Sequence, residues 1–436
     1  MQDSLHLLRT RRFWPIFTTQ FLGAFNDNLF RTAMVLLVIY GIYRDAEQEA
    51  AFSAIAGGLF ILPFFLLSAL SGQLADAMDK AKIVRIVKTA EIAIMLFGAA
   101  GLLLHNVPLL LVALTAMGVH STFFGPIKYA ILPQHLNKDE VLGGTGLVEA
   151  GTYIAILGGT ILGGLLVLQR ADGSYHAELA AVGVLVVAGI GRIAGGFVPP
   201  APPADDAEIP GYPHRGMDWH IVRASVTLVS ATLHVRRLYL AILAISFFWA
   251  MGAVLAAQFP PLVKNVFYAD QSVATLFLAV FSVGVAIGSV AINRMLRGQV
   301  SARYAPASAL FMGVFVLMLY WLTRDWPSSP ELVDVHEFLR HPLGWAVVLD
   351  LLGVAIAGGM FVVPLYAFLT TTVPKSETAR TVAANNIVNS GAMVLATLIL
   401  TGLVLLGVSV AETLFLVAIA SIVSAWLGHK LHLACD

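Results

Sequence analysis

The sequence has few charged residues and a single cysteine, and both shortages limit what kind of protein it encodes. Asp, Glu, Lys and Arg make up 12% of the 436 residues, against about 25% in a typical soluble domain. Hydrophobic residues make up 58%, and these values indicate an all-α, polytopic membrane protein. The lone Cys435 excludes an internal disulfide and a thiolate metal site. The formal net charge of zero gives no basic surplus for binding nucleic acid.

Two enzymatic signatures are also missing. The sequence contains no Gly-x-x-x-x-Gly-Lys-Ser/Thr motif, so it has no P-loop for ATP. None of its twelve histidines is followed five positions later by an aspartate, which excludes the His-x-x-x-x-Asp signature of glycerophospholipid acyltransferases. We therefore expect no enzyme and no cofactor or metal. Any transport has to use a gradient or the distribution of the substrate itself.

Long apolar runs predict about twelve membrane-spanning helices, because roughly 20 apolar residues cross a bilayer. Lys and Arg are concentrated on the side that holds both termini, and such residues stay in the cytoplasm during insertion. The sequence thus predicts a multi-pass protein with both termini in the cytoplasm. The predicted spans are 13–43, 52–75, 82–104, 107–132, 141–168, 177–198, 237–265, 272–296, 304–323, 343–371, 379–406 and 410–430.

A polar connector divides the chain into two halves of six spans each. It opens with the proline-rich stretch 199–203 and separates residues 1–198 from residues 237–436. Within the connector, 199–236, the part from 219 to 235 is compatible with an amphipathic surface helix and equally with a plain linker.

Related motifs occur in the same order in the two halves. Residues 11–14 and 126–132 correspond to residues 236–239 and 364–369. A parallel repeat of six plus six helices is typical of the major facilitator architecture, in which the substrate path lies between the halves.

The first span contains an acid and a guanidinium, Asp27 and Arg31, with the amide of Asn28 beside the acid. Ionisable side chains near the middle of a membrane usually mark a functional site. Residues four apart share a helix face, so the two charges can also neutralise each other in part. Two interpretations stay open: these residues contact a substrate, or they form a self-satisfied pair that supports packing.

Later spans carry four further candidate substrate-binding residues, Lys128, Glu149, Asn385 and Asn389. Lys128 is compatible with binding a headgroup or with snorkelling to the interface. Glu149 lies on a glycine-rich helix that a neighbouring helix can approach closely, so we expect it to face protein or a cavity. The two asparagines share a face and either line a cavity or form interhelical hydrogen bonds. In the register of the repeat, Glu149 and Asn389 are equivalent.

Two further sets of charges suggest pairs. Asp76, at the cytoplasmic end of the second span, fits a gate residue with Arg380 as its partner, or an ordinary solvated charge. Glu91 lies three residues after Lys88 and is interpreted as a structural ion pair.

Several motifs resemble those of the bacterial lysophospholipid transporter family of the major facilitator superfamily. Residues 20–28 are similar to its first-helix motif, residues 124–133 to its fourth-helix motif and residues 146–150 to its fifth. Residues 247–249 and 361–366 extend the likeness into the second half, and residues 72–76 resemble a superfamily loop motif. The likeness is nearest to the transporter domain that some bacteria fuse to an acyltransferase.

The resemblance implies a flippase that moves lysophospholipids such as lysophosphatidylethanolamine across the bacterial inner membrane for reacylation inside. It implies that Asp27, Asn28 and Lys128 are polar cavity residues. Some members carry an arginine in the seventh span, where this chain has Ala256, so Arg31 is expected to supply the charge instead. Two alternatives remain: an ion-coupled exporter of drugs or metabolites, and a non-transporting scaffold that docks an acyltransferase as its partner.

Overall fold

The computed structural model of the chain is almost entirely helical. Within the residues that it describes, twelve helices are long and apolar enough to cross a membrane. All twelve predicted spans are therefore confirmed, with ends that differ by a few residues. The described residues are 4–42, 46–169, 175–203, 218–324, 326–327, 332–375, 377–406 and 408–435.

The first six spans are α1, α2, α3, α4, α6 and α7. A short antiparallel strand pair joins α6 to α7, with Leu168 opposite His176. The elements in order are a 3-10 helix Ser4–Arg9, α1 Trp14–Leu36 with a π-helical continuation Leu37–Ile42, α2 Ala46–Ala77, α3 Lys80–Leu103, α4 Val107–Ala130, α5 Leu132–His135, α6 Val141–Leu165, β1 Leu168–Gln169, β2 Tyr175–His176 and α7 Glu178–Gly196.

The last six spans are α9, α10, α11, α13, α14 and α15. The short helix α12 precedes α13, and α8 lies in the connector. The elements in order are α8 Ile221–Leu233, α9 Arg236–Asn265, α10 Gln271–Leu296, α11 Ala305–Arg324, α12 Val335–Arg340, α13 Gly344–Thr371, α14 Thr378–Leu405 and α15 Val410–Cys435.

Polar side chains fix the starts of several helices. Asp79 accepts hydrogen bonds from the first backbone N–H groups of α3, and Asn106 does the same for α4. Asp270 and Asp334 cap α10 and α12 in the same way. Such caps satisfy N–H groups that lack a partner within the helix.

The described chain packs into two compact units. The first contains Met1–Gly144, Ile154–Ser230 and Thr370–Ile387, and the second contains the remaining segments Thr145–Tyr153, Ala231–Leu369 and Val388–Asp436. Residues 145–153 of α6 therefore belong to the second unit, and the start of α14, up to Ile387, belongs to the first. The division of the chain at residues 198 and 237 stays a prediction.

The core of the first unit is an apolar cluster built mainly from α1, α3, α4 and α7. Phe30, Met95, Leu114 and Val184 are fully buried within it. Helix α6 packs closely on α1, because a Cβ at Gly159 would lie 2.2 Å from the carbonyl oxygen of Phe25. The close approach that the glycine-rich sequence of α6 predicts is thus present.

Aromatic side chains fill one end of the second unit. Phe267, Phe277, Trp326 and Phe338 form a cluster with ring centroids 4.8–5.9 Å apart. The Trp326 indole N–H donates to the carbonyl oxygen of Phe267 at 3.1 Å. This contact satisfies the polar edge of a large apolar ring and joins the segment after α11 to the segment after α9.

The described part of the connector beyond residue 217 contains a helix, α8. Its residues Ala224 and Leu228 are buried against Ala69 and Ala383 in the first unit, whereas Val222 on the opposite side is 65% exposed. The helical interpretation of this stretch is therefore correct. Residues 204–217 of the connector lie outside the described residues.

Candidate functional site

A buried polar cluster lies inside the first unit, where α1, α3 and α4 meet. Ser121 on α4 donates a hydrogen bond to Asp27 Oδ2 at 2.6 Å. The neighbouring His120 places Nδ1 3.4 Å from Ser121 Oγ and Nε2 3.3 Å from Glu91 on α3. Asn26 donates to the other oxygen of Glu91 at 2.8 Å. Hydrogen-bond contacts thus connect the two acids, Asp27 and Glu91, through consecutive residues of α4.

Glu91 is the most fully satisfied group in this cluster. It pairs with Lys88, as the sequence predicts, and both side chains are 0% exposed. The cluster depends on close packing around Lys88, because a Cβ at Gly191 of α7 would lie 2.9 Å from the Lys88 Nζ. Burying two charges is tolerated when each has a partner and further hydrogen bonds. We conclude that the Lys88–Glu91 pair is a structural element of this site.

Asp27 and Arg31 make different contacts, although they lie one turn apart on α1. Arg31 donates from Nη2 to Asn28 Oδ1 at 3.1 Å, and Asn28 donates to the carbonyl oxygen of Ala24 at 2.8 Å. Asp27 is half-buried and Arg31 is exposed. The Arg31 guanidinium therefore keeps open donor positions beside the acid.

The predicted partners Asp76 and Arg380 lie together in the first unit. Arg380 Nε is 3.3 Å from Asp76 Oδ2. The side chain of Arg380 is 14% exposed and that of Asp76 is 2% exposed. Arg380 lies in the first turn of α14, where the positive end of the helix also favours a carboxylate. The burial of this pair makes the alternative of an ordinary solvated charge incorrect. Its role as a gate stays a prediction.

A second polar cluster lies within the second unit and includes Asn389 of α14. Ser246 on α9 donates to Asn389 Oδ1 at 2.6 Å. The Tyr366 hydroxyl accepts from the Trp249 indole N–H at 3.0 Å and from Asn389 Nδ2 at 3.5 Å. Glu149 is buried in the same unit, one turn before Tyr153, whose ring stacks on Trp249.

The two remaining candidates lie apart from these clusters. Lys128 is half-buried on α4, with its Nζ 4.8 Å from the centre of the Tyr129 ring, a cation–π distance. Asn385 is fully buried in the first unit, and neither of its amide atoms has a hydrogen-bond partner among the residues that the structure describes. Five of the seven predicted binding residues therefore belong to the first unit, and Glu149 and Asn389 belong to the second.

Sequence reasoning missed His120, Ser121, Ser246 and Tyr366. Neither His120 nor Ser121 belongs to a motif that predicts a role. Trp249 and Tyr366 do lie in the motifs that extend the family resemblance into the second half of the chain. That resemblance could therefore have pointed to the hydrogen bond between their indole and hydroxyl groups. Across the described part of the chain, no three His, Cys, Asp or Glu side chains come together as a metal site requires.

A charged pair at the amino-terminal end lies outside the membrane-spanning segments, where Arg12 meets Glu140 at 2.6 Å. Burial alone would raise the pKa of Glu140. The backbone N–H of Asn137, the hydrogen bond and charge of Arg12 and the charge of His6 oppose that effect and hold the pKa below its ordinary value. This pair anchors the amino terminus to the start of α6.

A family model described as Major Facilitator Superfamily matches residues 16–397. The match covers most of the chain and both halves. The chain belongs to the Major Facilitator Superfamily. Membership of this superfamily agrees with the prediction that the protein is a transporter and not an enzyme.

Curated relatives in this superfamily cover nearly the same length. Lysophospholipid transporter LplT of Photorhabdus laumondii is 27% identical over 368 residues, which is 83% of this chain and 80% of that protein. The protein of the same name from Escherichia coli O9:H4 is 26% identical over 448 residues, or 99% of this chain and 100% of that protein.

Solved structures confirm the superfamily fold. The fucose:proton symporter FucP of E. coli has a TM-score of 0.70 at 11% identity and covers 99% of both chains. A bacterial homologue of the iron transporter ferroportin has a TM-score of 0.63 at 15% identity and covers 96% of this chain and 98% of that protein. At these identities the likeness concerns the fold alone.

Proposed function

We propose that this superfamily member transports lysophospholipids across the bacterial inner membrane, with both termini in the cytoplasm, and delivers them for reacylation. Similarity over nearly the full chain to bacterial proteins named lysophospholipid transporter supports the substrate class. The concentration of Lys and Arg on the side of the termini supports the orientation.

One observation in the site carries the proposal: the two acids of the first-unit cluster are satisfied to different degrees. Glu91 is saturated by Lys88, Asn26 and His120. Asp27 accepts from Ser121 through Oδ2, and its Oδ1 has no hydrogen-bond partner in the described part of the chain. An unmet carboxylate oxygen inside a membrane is costly and is found where a ligand or ion binds. Asp27 is therefore the acid available to the ammonium group of an ethanolamine headgroup.

The same part of α1 offers the opposite charge. Arg31 is one turn away from Asp27 and is exposed. A guanidinium matches the geometry of a phosphate oxygen pair. Together the two residues offer one charge of each sign to a zwitterionic headgroup. Asn28, Lys128, Glu149, Asn385 and Asn389 complete the proposed binding residues.

Transport by this superfamily member is proposed to follow alternating access, with the Asp76–Arg380 pair as a gate. The pair joins the end of α2 to the first turn of α14. Since the later part of α14 belongs to the second unit, breaking the pair frees α2 from a helix that continues into that unit. This is the step that a gate requires.

The test is leaflet-resolved uptake of labelled lysophosphatidylethanolamine into spheroplasts. Asp27→Asn keeps the shape of the side chain and removes its charge, so we expect uptake to fall by about tenfold or more, equivalent to losing ~1.4 kcal/mol of binding. The matched control is Asp139→Asn, an exposed acid between α5 and α6, for which we expect wild-type uptake. Unchanged uptake by a folded Asp27→Asn protein would refute the proposal.

Docking of an acyltransferase on this chain stays a prediction from the sequence. Deleting residues 204–217 of the connector tests it. If an acyltransferase docks there, reacylation is lost while movement of the labelled lipid is unchanged.

A further inference from the structure

An apolar groove lies along the first unit between α2, α3 and α4, and of the polar cluster only His120 is among the residues that line it. Its volume is about 430 Å³, within the range of ~300–1,000 Å³ usual for ligand pockets. The wall on α3 extends from Ile83 to Ile94, and α4 contributes Ala116 and the imidazole of His120. Ile86 on the α3 wall is 53% exposed, so the groove is open at the protein surface.

The groove matches the thickness of one membrane leaflet. Eleven residues separate Ile83 from Ile94, which at ~1.5 Å of rise per residue is about 16 Å. The hydrocarbon core of a bilayer is about 30 Å thick, so one leaflet contributes about half of that. Apart from His120, the lining side chains are apolar. These apolar side chains favour contact with the hydrocarbon chains of the surrounding bilayer.

A cation marks the end of the groove nearest the turn between α2 and α3. Lys82 is exposed and lies one turn before Ile86, so the two side chains share a face of α3. The nearby Asp79 is engaged by backbone N–H groups of Ala81 and Lys82. The Lys82 ammonium is therefore placed where an acyl chain in the groove would end in its headgroup.

Two other cations of this region point to the opposite flank of α3. Arg85 donates to the carbonyl oxygen of Val198 at 3.2 Å, and Arg192 donates to Thr89 Oγ1 at 2.8 Å. Arg85 on α3 therefore contacts the backbone just after α7, and Arg192 on α7 contacts the side chain of Thr89 on α3. They provide a matched comparison for Lys82.

We propose that this groove binds one acyl chain of an anionic phospholipid of the surrounding leaflet, with the headgroup phosphate at Lys82. Basic residues beside a membrane span attract anionic lipids, and each contributes a modest, additive share. The lipid lies outside the polar cluster and is not the transported molecule. The proposal therefore does not rest on the proposed function.

The experiment counts lipids bound to the full-length purified protein by native mass spectrometry, with phosphatidylglycerol and phosphatidylcholine of identical acyl chains as probes. Wild-type protein should prefer phosphatidylglycerol by about fivefold, the value of one lysine near an anionic headgroup. Lys82→Gln should abolish that preference. Arg192→Gln, on the other flank, should retain it.

Filling the groove tests the acyl-chain part of the proposal. Ala90→Leu places a larger side chain in the groove wall and should weaken binding of both lipids by about tenfold, because several methylene groups lose their contact. Ala93→Leu, on the exposed side of the same helix and outside the groove, is the control and should bind like the wild type. If Ala90→Leu does not fold, Ala116→Leu introduces the same obstruction from α4.

Two results would overturn the proposal: equal lipid binding by Ala90→Leu and Ala93→Leu, or an unchanged phosphatidylglycerol preference in Lys82→Gln. Lysophospholipid uptake is measured on the same variants. Loss of uptake in Asp27→Asn with lipid binding intact separates the transport site from the groove. Failure of wild-type uptake would count against the proposed function and would leave the lipid result unaffected.

Discussion

Replacing Glu91 with leucine removes the negative partner of Lys88 from the interior of the first unit. Both side chains are 0% exposed, so water cannot take over the role of the carboxylate. Breaking a buried ion pair by removing one partner costs about 3–5 kcal/mol. Glu91→Leu also removes the acceptor for Asn26 and for His120. We therefore expect the larger end of that range.

The double variant Lys88→Met, Glu91→Leu removes both charges and leaves side chains of similar volume. Replacing a whole buried pair by apolar residues is often neutral or stabilising. We therefore expect the double variant to unfold close to the wild-type temperature. With the single variant Lys88→Met, the three variants and the wild type form the double-mutant cycle that isolates the interaction between Lys88 and Glu91.

The assay is thermal unfolding of the purified protein in detergent, followed by intrinsic tryptophan fluorescence. For units of this size each kcal/mol shifts Tm by about 2–4 °C, so a loss of about 5 kcal/mol means that Glu91→Leu should lower Tm by about 10 °C or more. A single variant that unfolds at the wild-type temperature would refute the buried pair. A double variant as unstable as the single one would show that Glu91 stabilises the fold through Asn26 and His120 instead.

Three further outcomes are expected. Asp76→Arg should lower lysophospholipid uptake by about tenfold, ~1.4 kcal/mol, and the exchange Asp76→Arg with Arg380→Asp should restore part of it; no restoration would argue against the pair as a gate. The pKa of Glu140 lies below its ordinary value of 4.5, so its pairing with Arg12 stabilises the protein fully above that value and is lost as pH falls through the lowered pKa. Glu140→Gln should therefore reduce Tm at neutral pH and have a progressively smaller effect as pH falls below 4.5, a difference worth no more than about 1 kcal/mol because Arg12 is partly exposed. Asp350 is buried, and neither of its carboxyl oxygens has a hydrogen-bond partner in the described part of the chain. Asp350→Leu should therefore raise Tm, because it removes a buried polar group whose missing partner costs about 1–3 kcal/mol. A lower Tm would reveal a partner for this acid.

The spans could be predicted because the bilayer imposes a length and a composition on every crossing helix. The Lys88–Glu91 pair could be predicted as well, since residues three apart on a helix are neighbours. Local rules of this kind cannot predict the contact between Asp27 and Ser121, because these residues are 94 positions apart in the sequence. Finding that contact requires the rotation of α1 and α4 about their axes.

That rotation is weakly encoded in a membrane helix. In a soluble protein the polar face of a helix points to water and so reveals the buried face. In a bilayer both the lipid and the neighbouring helices are apolar, so most side chains carry no directional signal. Only the rare polar residues carry such a signal. His120 and Ser121 lie on α4, where other polar residues such as Thr115 and Thr122 donate hydrogen bonds to carbonyl oxygens of their own helix.

The arrangement of the two acids explains why one cluster can combine stability with binding. Glu91 is held by a cation, an amide and an imidazole, so a ligand that approached it would have to break contacts worth several kcal/mol. Asp27 is held through Oδ2 by a single neutral hydroxyl, a bond to a charged group worth about 1.5–3 kcal/mol net, and its Oδ1 has no hydrogen-bond partner in the described part of the chain. A headgroup cation can therefore bind at Oδ1 of Asp27 while the Glu91 pair stays intact. His120 and Ser121 are consecutive on α4, so Glu91, by holding His120, also fixes the position of the Ser121 hydroxyl. That hydroxyl in turn orients Asp27.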